Sequence, residues 1–346
     1  MSVTIKEIAQ AAGVSRGTVD RALNNRPGVN PDVAKRVRRL ARDLGYRPNQ
    51  VAKALVGRSH TSSKIGIIIV TENNSFYDDI IAGMNSCLGE YQDYNVQGIF
   101  RVLDSYSDEK GQIEAISELI GLGAQGIVLT PIGTPGVSRA ILDATKAGVQ
   151  FITVNSDAEG SGRLAYVGCD FHKSGEVMAG LTALLSGGRA CRVGAISGPR
   201  GNMAVLSREA AFLDKICQYP NLELDALMQN EANEERSYEI TIKMFAEHPE
   251  LDILCFLGAG MVGSLRALEA ANREKRIRTA AYDAYPEIKE GLRKGLIDVS
   301  VTQEAFEQGY RGVKLMIERL LFDRVPEREL NYTRLSVITR ECLEEP

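Results

Sequence analysis

Only three histidines occur in 346 residues, His60, His172 and His248, and they are scattered. No His-Glu-x-x-His pair, Gly-x-Ser-x-Gly elbow or Walker loop is present, which leaves no zinc-hydrolase helix, activated serine or nucleoside-triphosphate cradle. His172 follows Asp170 near a strand end, yet with no nucleophile beside it reads as polar surface. The six cysteines, at 87, 169, 191, 217, 255 and 342, include no Cys-x-x-Cys pair. Most stand in apolar surroundings and read as small core residues of a reducing compartment. No apolar run approaches membrane length, and Met1-Ser2-Val3-Thr4-Ile5-Lys6-Glu7 lacks the pattern of a secretion signal. These absences lead to the expectation of a cytoplasmic protein without a membrane partner, metal, cofactor or catalytic group.

What is present begins with Thr4-Ile5-Lys6-Glu7-Ile8-Ala9-Gln10-Ala11-Ala12-Gly13-Val14-Ser15-Arg16-Gly17-Thr18-Val19-Asp20-Arg21-Ala22-Leu23-Asn24. Thr4 and Glu7 form a capping box, and Ile5, Ile8, Ala9 and Ala12 recur at helical spacing, so a helix is expected over residues 5–12. Ser15 caps a second helix. At roughly 100° per residue its Val19, Ala22 and Leu23 share one side, while Arg16, Gly17, Asp20, Arg21 and Asn24 share the other. The pair is a helix-turn-helix, and the polar set is free to enter a major groove. A third helix is marked by Asn30 as cap, Pro31 in the first turn, apolar Val33, Val37, Leu40 and Leu44, and Gly45 at the stop.

Charge favours DNA over a solvated bundle without a partner. Residues 1–60 hold 12 Lys and Arg against 4 Asp and Glu, a net of +8. The remainder holds 29 against 41, a net of −12, so the overall −4 conceals a basic head on an acidic body. Phosphate neutralisation requires such a head, because counterion release supplies most non-specific DNA affinity.

Beyond the third helix come Tyr46-Arg47-Pro48-Asn49 and Gln50-Val51-Ala52-Lys53-Ala54-Leu55, then the breakers Gly57 to Ser62. From Thr4 through these motifs the chain resembles the lactose-repressor (LacI/GalR) family of bacterial transcription regulators. The resemblance implies that the segment after Asn49 is a hinge helix that folds on operator DNA. Leu55 would wedge the minor groove there, supported by Ala52 and anchored by Asn49. A short helix unstable alone and an apolar wedge that bends the duplex fit that role; a plain linker helix is the alternative. Thr4, Ser15, Thr18, Asn24 and Lys53 complete the set expected at DNA with Arg16, Gly17, Asp20 and Arg21. Both arginines can meet guanine O6 and N7. Asp20 departs from the small hydroxyl usual in the family; its carboxylate either accepts from cytosine N4 or orients Arg16.

From Lys64 onward short apolar, β-branched runs alternate with helical patterns. Candidate strands are residues 65–70, 96–102, 126–129, 151–154, 192–197, 222–229, 253–257, 279–282 and 335–339. Such alternation means parallel sheets covered on both faces, and about 285 residues exceed one comfortable core. The fold class expected is α/β: an N-terminal all-α helix-turn-helix head and a two-lobed, parallel-sheet body. The resemblance agrees, implying a periplasmic binding protein-like type I body with a ligand cleft. The domains expected are residues 1–48 for DNA binding, 49–62 for hinge and linker, and 63–346 for effector binding and dimerisation. Residues 340–346 are too short for a heptad tetramerisation tail.

Open α/β sheets bind ligands at the carboxyl ends of their strands. Asn74, Phe76 and Tyr77 follow the first strand and resemble the Asn-x-Phe-Phe with which sugar-binding relatives bond and stack a pyranose. Asn155 and Asp157 stand where many relatives carry an Asp-Arg pair. Asp170, Phe171, Asp283 and Gln303 fall at further positions where relatives touch ligand. Together they would form a polar ring with an aromatic face, suited to a polyol. Each is otherwise a capping or loop-ordering residue. Leu206 stands at the equivalent of the relatives' ligand-binding arginine, which leaves Arg208 as structural.

Gly258-Ala259-Gly260-Met261-Val262-Gly263 replaces the Asn-Asp usual in sugar binders. It is a formal Gly-x-Gly-x-x-Gly after a strand, with Asp283 beyond, and three readings stay open: close helix packing, a helix N-terminus for an anionic effector, or an NAD(H) site. The function expected is a homodimeric regulator, a repressor, whose affinity for double-stranded operator DNA is set by a small molecule, a sugar or sugar derivative. The alternatives are an NAD(H)-binding redox sensor or nicotinamide-dependent enzyme, and an architectural DNA-binding protein without effector.

Overall fold

The computed structural model describes residues 5–23, 29–43, 62–71, 74–200, 202–271 and 276–343. The chain divides into two compact units, residues 1–60 and 61–346. In the first, α1 (Ile5–Ala12), α2 (Arg16–Leu23) and α3 (Pro31–Asp43) enclose Ile8, Val19 and Val37, all fully buried, with Ala12, Ala22, Ala34 and Ala41 between them. The turn between α1 and α2 uses Gly13 at φ +62°, a conformation that costs other residues a clash with Cβ. Ser15 Oγ accepts from the Thr18 amide at 3.1 Å and caps α2, and Asn30 Oδ1 accepts from the Asp32 amide at 2.9 Å at the start of α3. Arg36 donates to the Ala12 carbonyl and Arg38 to that of Ala22, so α3 satisfies carbonyls left open where α1 and α2 end. Thr4 and the Glu7 side chain, the expected capping box, lie outside the described residues.

The second unit begins with β1 (Ser63–Val70), α4 (Phe76–Glu90), β2 (Val96–Leu103), α5 (Glu109–Gly121), β3 (Gly126–Leu129), α6 (Pro135–Lys146), β4 (Gln150–Val154) and β5 (Ala165–Gly168). The chain then crosses to a second lobe: α7 (Phe171–Ser186), β6 (Cys191–Ser197), α8 (Met203–Ile216), β7 (Leu222–Gln229), α9 (Glu234–Glu247), β8 (Ile253–Phe256), α10 (Met261–Ala270), β9 (Arg278–Tyr282), α11 (Pro286–Arg293) and β10 (Val299–Thr302). It returns through α12 (Ala305–Phe322) and β11 (Leu330–Tyr332) and crosses once more to β12 (Ser336–Ile338). The sheets run β11-β5-β4-β3-β1-β2 and β12-β10-β9-β8-β6-β7. All pairings are parallel except β10 with β12. Strand order reverses at β1 and at β6, so each lobe has a switch point at which strand ends can receive a ligand.

The central strands are buried on both faces, as parallel sheets require: Ile65, Ile67, Ile68 and Ile69 of β1 are all inaccessible. The expected strands are present with ends shifted by a residue or two. β5, β10 and β11 have no counterpart among the strands expected from the sequence; Val299–Thr302 of β10 is four residues long. Ala165-Tyr166-Val167-Gly168 is only four residues long, and β11 is a short edge strand with exposed Leu330 and Tyr332; all three are fixed by partners distant in sequence rather than by their own pattern.

Helices α4 and α12 meet backbone to backbone. A Cβ at Gly83 would fall on the Phe306 carbonyl, and one at Gly309 on the Ile80 carbonyl. Gly309→Ala is expected to cost roughly 1–3 kcal/mol through overpacking and to lower the melting temperature; an unchanged thermal unfolding curve would count against this contact.

Candidate functional site

In the head, Gly17 and Arg21 of α2 are exposed on the side opposite Val19 and Ala22. The Arg21 Nε donates to the Gly17 carbonyl at 3.2 Å, which holds the guanidinium along the helix surface. Thr18 is half-buried, and its hydroxyl shares a 2.9 Å hydrogen bond with that of Ser15. Arg16 and Asp20 belong to α2, but their side chains lie outside the described residues, as do Thr4, Asn24, Asn49, Ala52, Lys53 and Leu55 in full.

In the body, the residues after β5, β9 and β10 converge with one side chain from α8. Gln303, 3% exposed, donates from Nε2 to Asp283 Oδ1 at 2.6 Å. Its Oε1 accepts from Arg208 at 3.0 Å and from the Cys169 thiol at 3.0 Å. Arg208, also 3% exposed, donates further to Ser174 Oγ and the Leu257 carbonyl, and its guanidinium lies 3.6 Å from the centroid of the Tyr282 ring and 5.0 Å from that of Phe171. Stacked on aromatic rings and hydrogen-bonded along its edges, the guanidinium has partners on both its face and its rim in a buried place.

This cluster also binds the lobes together. Cys169, Gln303 and Thr333 lie on the three segments that cross between lobes, and the Gln303 carbonyl accepts from Thr333 Oγ1 at 2.9 Å and from Gln308 Nε2 at 2.9 Å. Gln308 in turn accepts from Asn155 Nδ2 at 3.2 Å, so Asn155 joins from the end of β4. Asn155 and Asp283 hold equivalent places in the two lobes. Each has positive φ, +64° and +69°, and each donates its amide to the next strand, at Val167 and Val301. Left-handed non-glycine residues are strained and persist where surroundings over-determine them.

Desolvation pushes the Asp283 carboxyl up to about 6; Arg208 and the bond from Gln303 oppose the rise, and Asp79 of the first lobe adds to it. Burial pushes the Cys169 thiol up to about 12, so it stays a protonated donor to Gln303.

Other expected residues are placed differently. Asn74 is half-buried, and its Oδ1 accepts from the Phe76 amide at 2.9 Å. With Ser75 it lines a cavity of about 340 Å³ shared with Asn233, Gly260 and Tyr285 of the other lobe. Phe76 and Tyr77 pack edge to face at 5.2 Å, both buried, and the Tyr77 hydroxyl meets that of Tyr106 at 2.7 Å. Asp157 does not join the ring: its carboxylate is gripped by Arg163 and accepts from Thr153 Oγ1 and the Ala158 amide. Asp170 caps α7 by accepting from the Lys173 amide at 2.8 Å.

Arg208, set aside as structural in the sequence, is instead central to the cluster. Its signal was legible: Ala204, Val205, Arg208, Ala211 and Phe212 are the buried stripe of α8, and the arginine sits in the middle of it.

The glycine loop is accounted for by packing. A Cβ at Gly258 would stand 2.6 Å from the Gly198 nitrogen, one at Gly260 would stand 2.9 Å from the Ala232 carbonyl carbon, and one at Gly263 would fall on the Glu234 carbonyl. Each glycine answers to a neighbouring backbone, so the fingerprint requires no dinucleotide. Glu234 and Glu235 in the first turn of α9 and Glu287 in that of α11 line the same interlobe cavity, placing negative charge where an anionic effector would sit.

Residues 65–322 match the periplasmic binding protein domain, and residues 4–49 match the bacterial regulatory proteins of the lacI family. The chain belongs to the periplasmic binding protein domain family and carries a lacI-family region at its head. It is similar to catabolite control protein A of Priestia megaterium, 34% identical over 128 residues, 37% of this chain and 36% of that one. It is also similar to the transcriptional regulator RegA of Clostridium saccharobutylicum, 41% identical over 96 residues, 28% of each chain. The matched part thus spans about a third of the length of these curated relatives. Among solved structures, a solute-binding protein from Burkholderia graminis C4D1M in complex with D-arabinose superposes with a TM-score of 0.75 at 20% identity, covering 82% of this chain and 97% of that one. The glucose-galactose binding protein GanP of Geobacillus stearothermophilus gives 0.73 at 20%, covering 82% and 99%. At these identities the likeness shows the fold.

Asp283 yields a pH test. A carboxyl raised in the folded state favours folding at low pH and loses that contribution as pH rises through its folded value, here between about 4 and about 6. Asp283→Asn should remove this component, flattening the stability profile of the free protein across that window. Chemical denaturation giving parallel profiles for both proteins would show that Asp283 is not held up in this way.

Proposed function

We propose that the protein is a homodimeric, cytoplasmic transcription regulator without catalytic activity. Its operator affinity is set by an uncharged sugar or sugar derivative bound between the lobes. The single observation that carries the proposal is the Arg208–Gln303–Asp283 cluster: polar groups at strand ends, linked by hydrogen bonds to all three crossing segments. A ligand exchanging hydrogen bonds with that cluster changes the same contacts that set the lobe arrangement. By linkage it shifts DNA affinity by its differential affinity for the two arrangements, roughly 5–150-fold in typical cases.

Several observations support the rest. The basic head with exposed Gly17 and Arg21 suits a phosphate-lined groove. The relatives named above are called transcriptional regulators or control proteins, and the structural neighbours are described with arabinose or as glucose-galactose binding. Glu234, Glu235 and Glu287 around the interlobe cavity disfavour an anionic ligand. The homodimer draws on the outer edge of the first lobe's sheet, where Val102 of β2 is 52% exposed. Such an edge is ordinarily covered by another chain or blunted.

A thermal-shift screen of neutral monosaccharides and polyols should find a ligand that raises the melting temperature and alters operator affinity. Arg208→Ala should abolish both responses while leaving operator affinity without ligand in place. A full screen without stabilisation would remove the sensor reading. In the segment that resembles the family's hinge, Leu55→Ala should weaken operator binding about tenfold or more and leave non-specific binding little changed; equal operator isotherms at fixed salt would refute the wedge role.

A further inference from the structure

A second cavity, of about 550 Å³, lies away from the cluster of Arg208, Gln303 and Asp283, where the end of β7 meets α8 and α9. Its size falls within the range of small-molecule sites. Leu227, Met228 and Ile240 give it an apolar wall. Around that wall stand three acidic side chains, Glu209, Glu231 and Glu239, and three basic ones, Arg200, Arg236 and Lys243.

The charges are not all spent on one another. Glu209 Oε2 is buried and has no hydrogen-bond partner, and no ion pair is made by Glu209 or Arg200 among the described residues. Arg236 reaches Glu239 at 3.9 Å and Lys243 reaches Glu247 at 3.8 Å, both exposed pairs along one helix that a ligand can displace at little cost. Glu209 is half-buried and lines the cavity, and an ammonium or guanidinium in that cavity is the group suited to pair with the part of its carboxylate that faces it.

We propose that this cavity is a second binding site that takes a small zwitterion of the amino-acid class. Its cationic end donates to Glu209, its carboxylate meets Arg200 with Arg236 or Lys243 alongside, and its aliphatic stem lies on Leu227, Met228 and Ile240. Balanced charge in the wall selects a molecule carrying both signs over a sugar, a simple anion or a simple amine. The site does not depend on the sugar reading of the interlobe cleft.

The test uses the full-length protein with L-arginine, L-lysine and L-glutamate as probes, by calorimetric titration and thermal shift at fixed ionic strength. At least one cationic amino acid should bind and raise the melting temperature, and its decarboxylated amine should bind at least tenfold more weakly. Glu209→Gln, nearly the same in shape, should weaken binding at least tenfold, and Arg200→Ala, at an exposed loop, should do the same without loss of fold. Neither substitution should alter the response to a cleft ligand. Absence of binding by all three amino acids at tens of millimolar would overturn the proposal. So would undiminished binding by Glu209→Gln, or a change of oligomeric state in that variant with no amino-acid response, which would assign Glu209 to a subunit contact.

Discussion

The hydrogen bonds of Gln303 hold the body in the form described. Its side chain joins Cys169 on the first crossing to Arg208 and Asp283 of the second lobe, and its carbonyl takes Thr333 of the third crossing. Three strands of chain that would otherwise be independent hinges are therefore tied at one buried amide. Buried polar networks of this kind are demanding, because every member needs a partner, and a change at one member is felt by the others. A side chain in that position is suited to convert occupancy of a cleft into lobe geometry.

Around that tie the architecture is made of close backbone contacts. Gly83 and Gly309 let α4 and α12 touch in the first lobe, and Gly263 does the same for α9 and α10 in the second. Rigid lobes follow from these contacts, and rigid lobes are what let a small rearrangement at the crossings become a change in the disposition of whole domains. The glycine run 258–263 belongs to this account; its match to a dinucleotide fingerprint arises because both need a backbone to approach closely.

Much of the fold was legible in the sequence because its signals are local. Ser15 and Asn30 cap the helices they were expected to cap, and the isoleucines of β1 announce a strand buried on both faces. β5, β10 and β11 are not evident in the sequence because short strands are defined by neighbours far along the chain. The candidate site was legible in part. Positions after strands led to Asn155, Asp283 and Gln303, which are linked, yet the same rule gave Asp157, whose carboxylate Arg163 holds from six residues away. Arg208 is less legible, because the family resemblance puts Leu206 at the ligand-contacting position even though the buried helical stripe centres on Arg208. Nothing in the sequence alone pointed to the orphaned oxygen of Glu209, since an unpaired buried atom is a property of packing.

The most direct measurement is operator affinity at fixed salt, with and without a cleft ligand, in the wild type and in Gln303→Ala. Ligand should change operator affinity severalfold or more in the wild type. In the variant that ratio should fall to about one while ligand-free operator binding persists. An undiminished ligand effect in Gln303→Ala would show that coupling does not run through the crossing segments and would contradict the account.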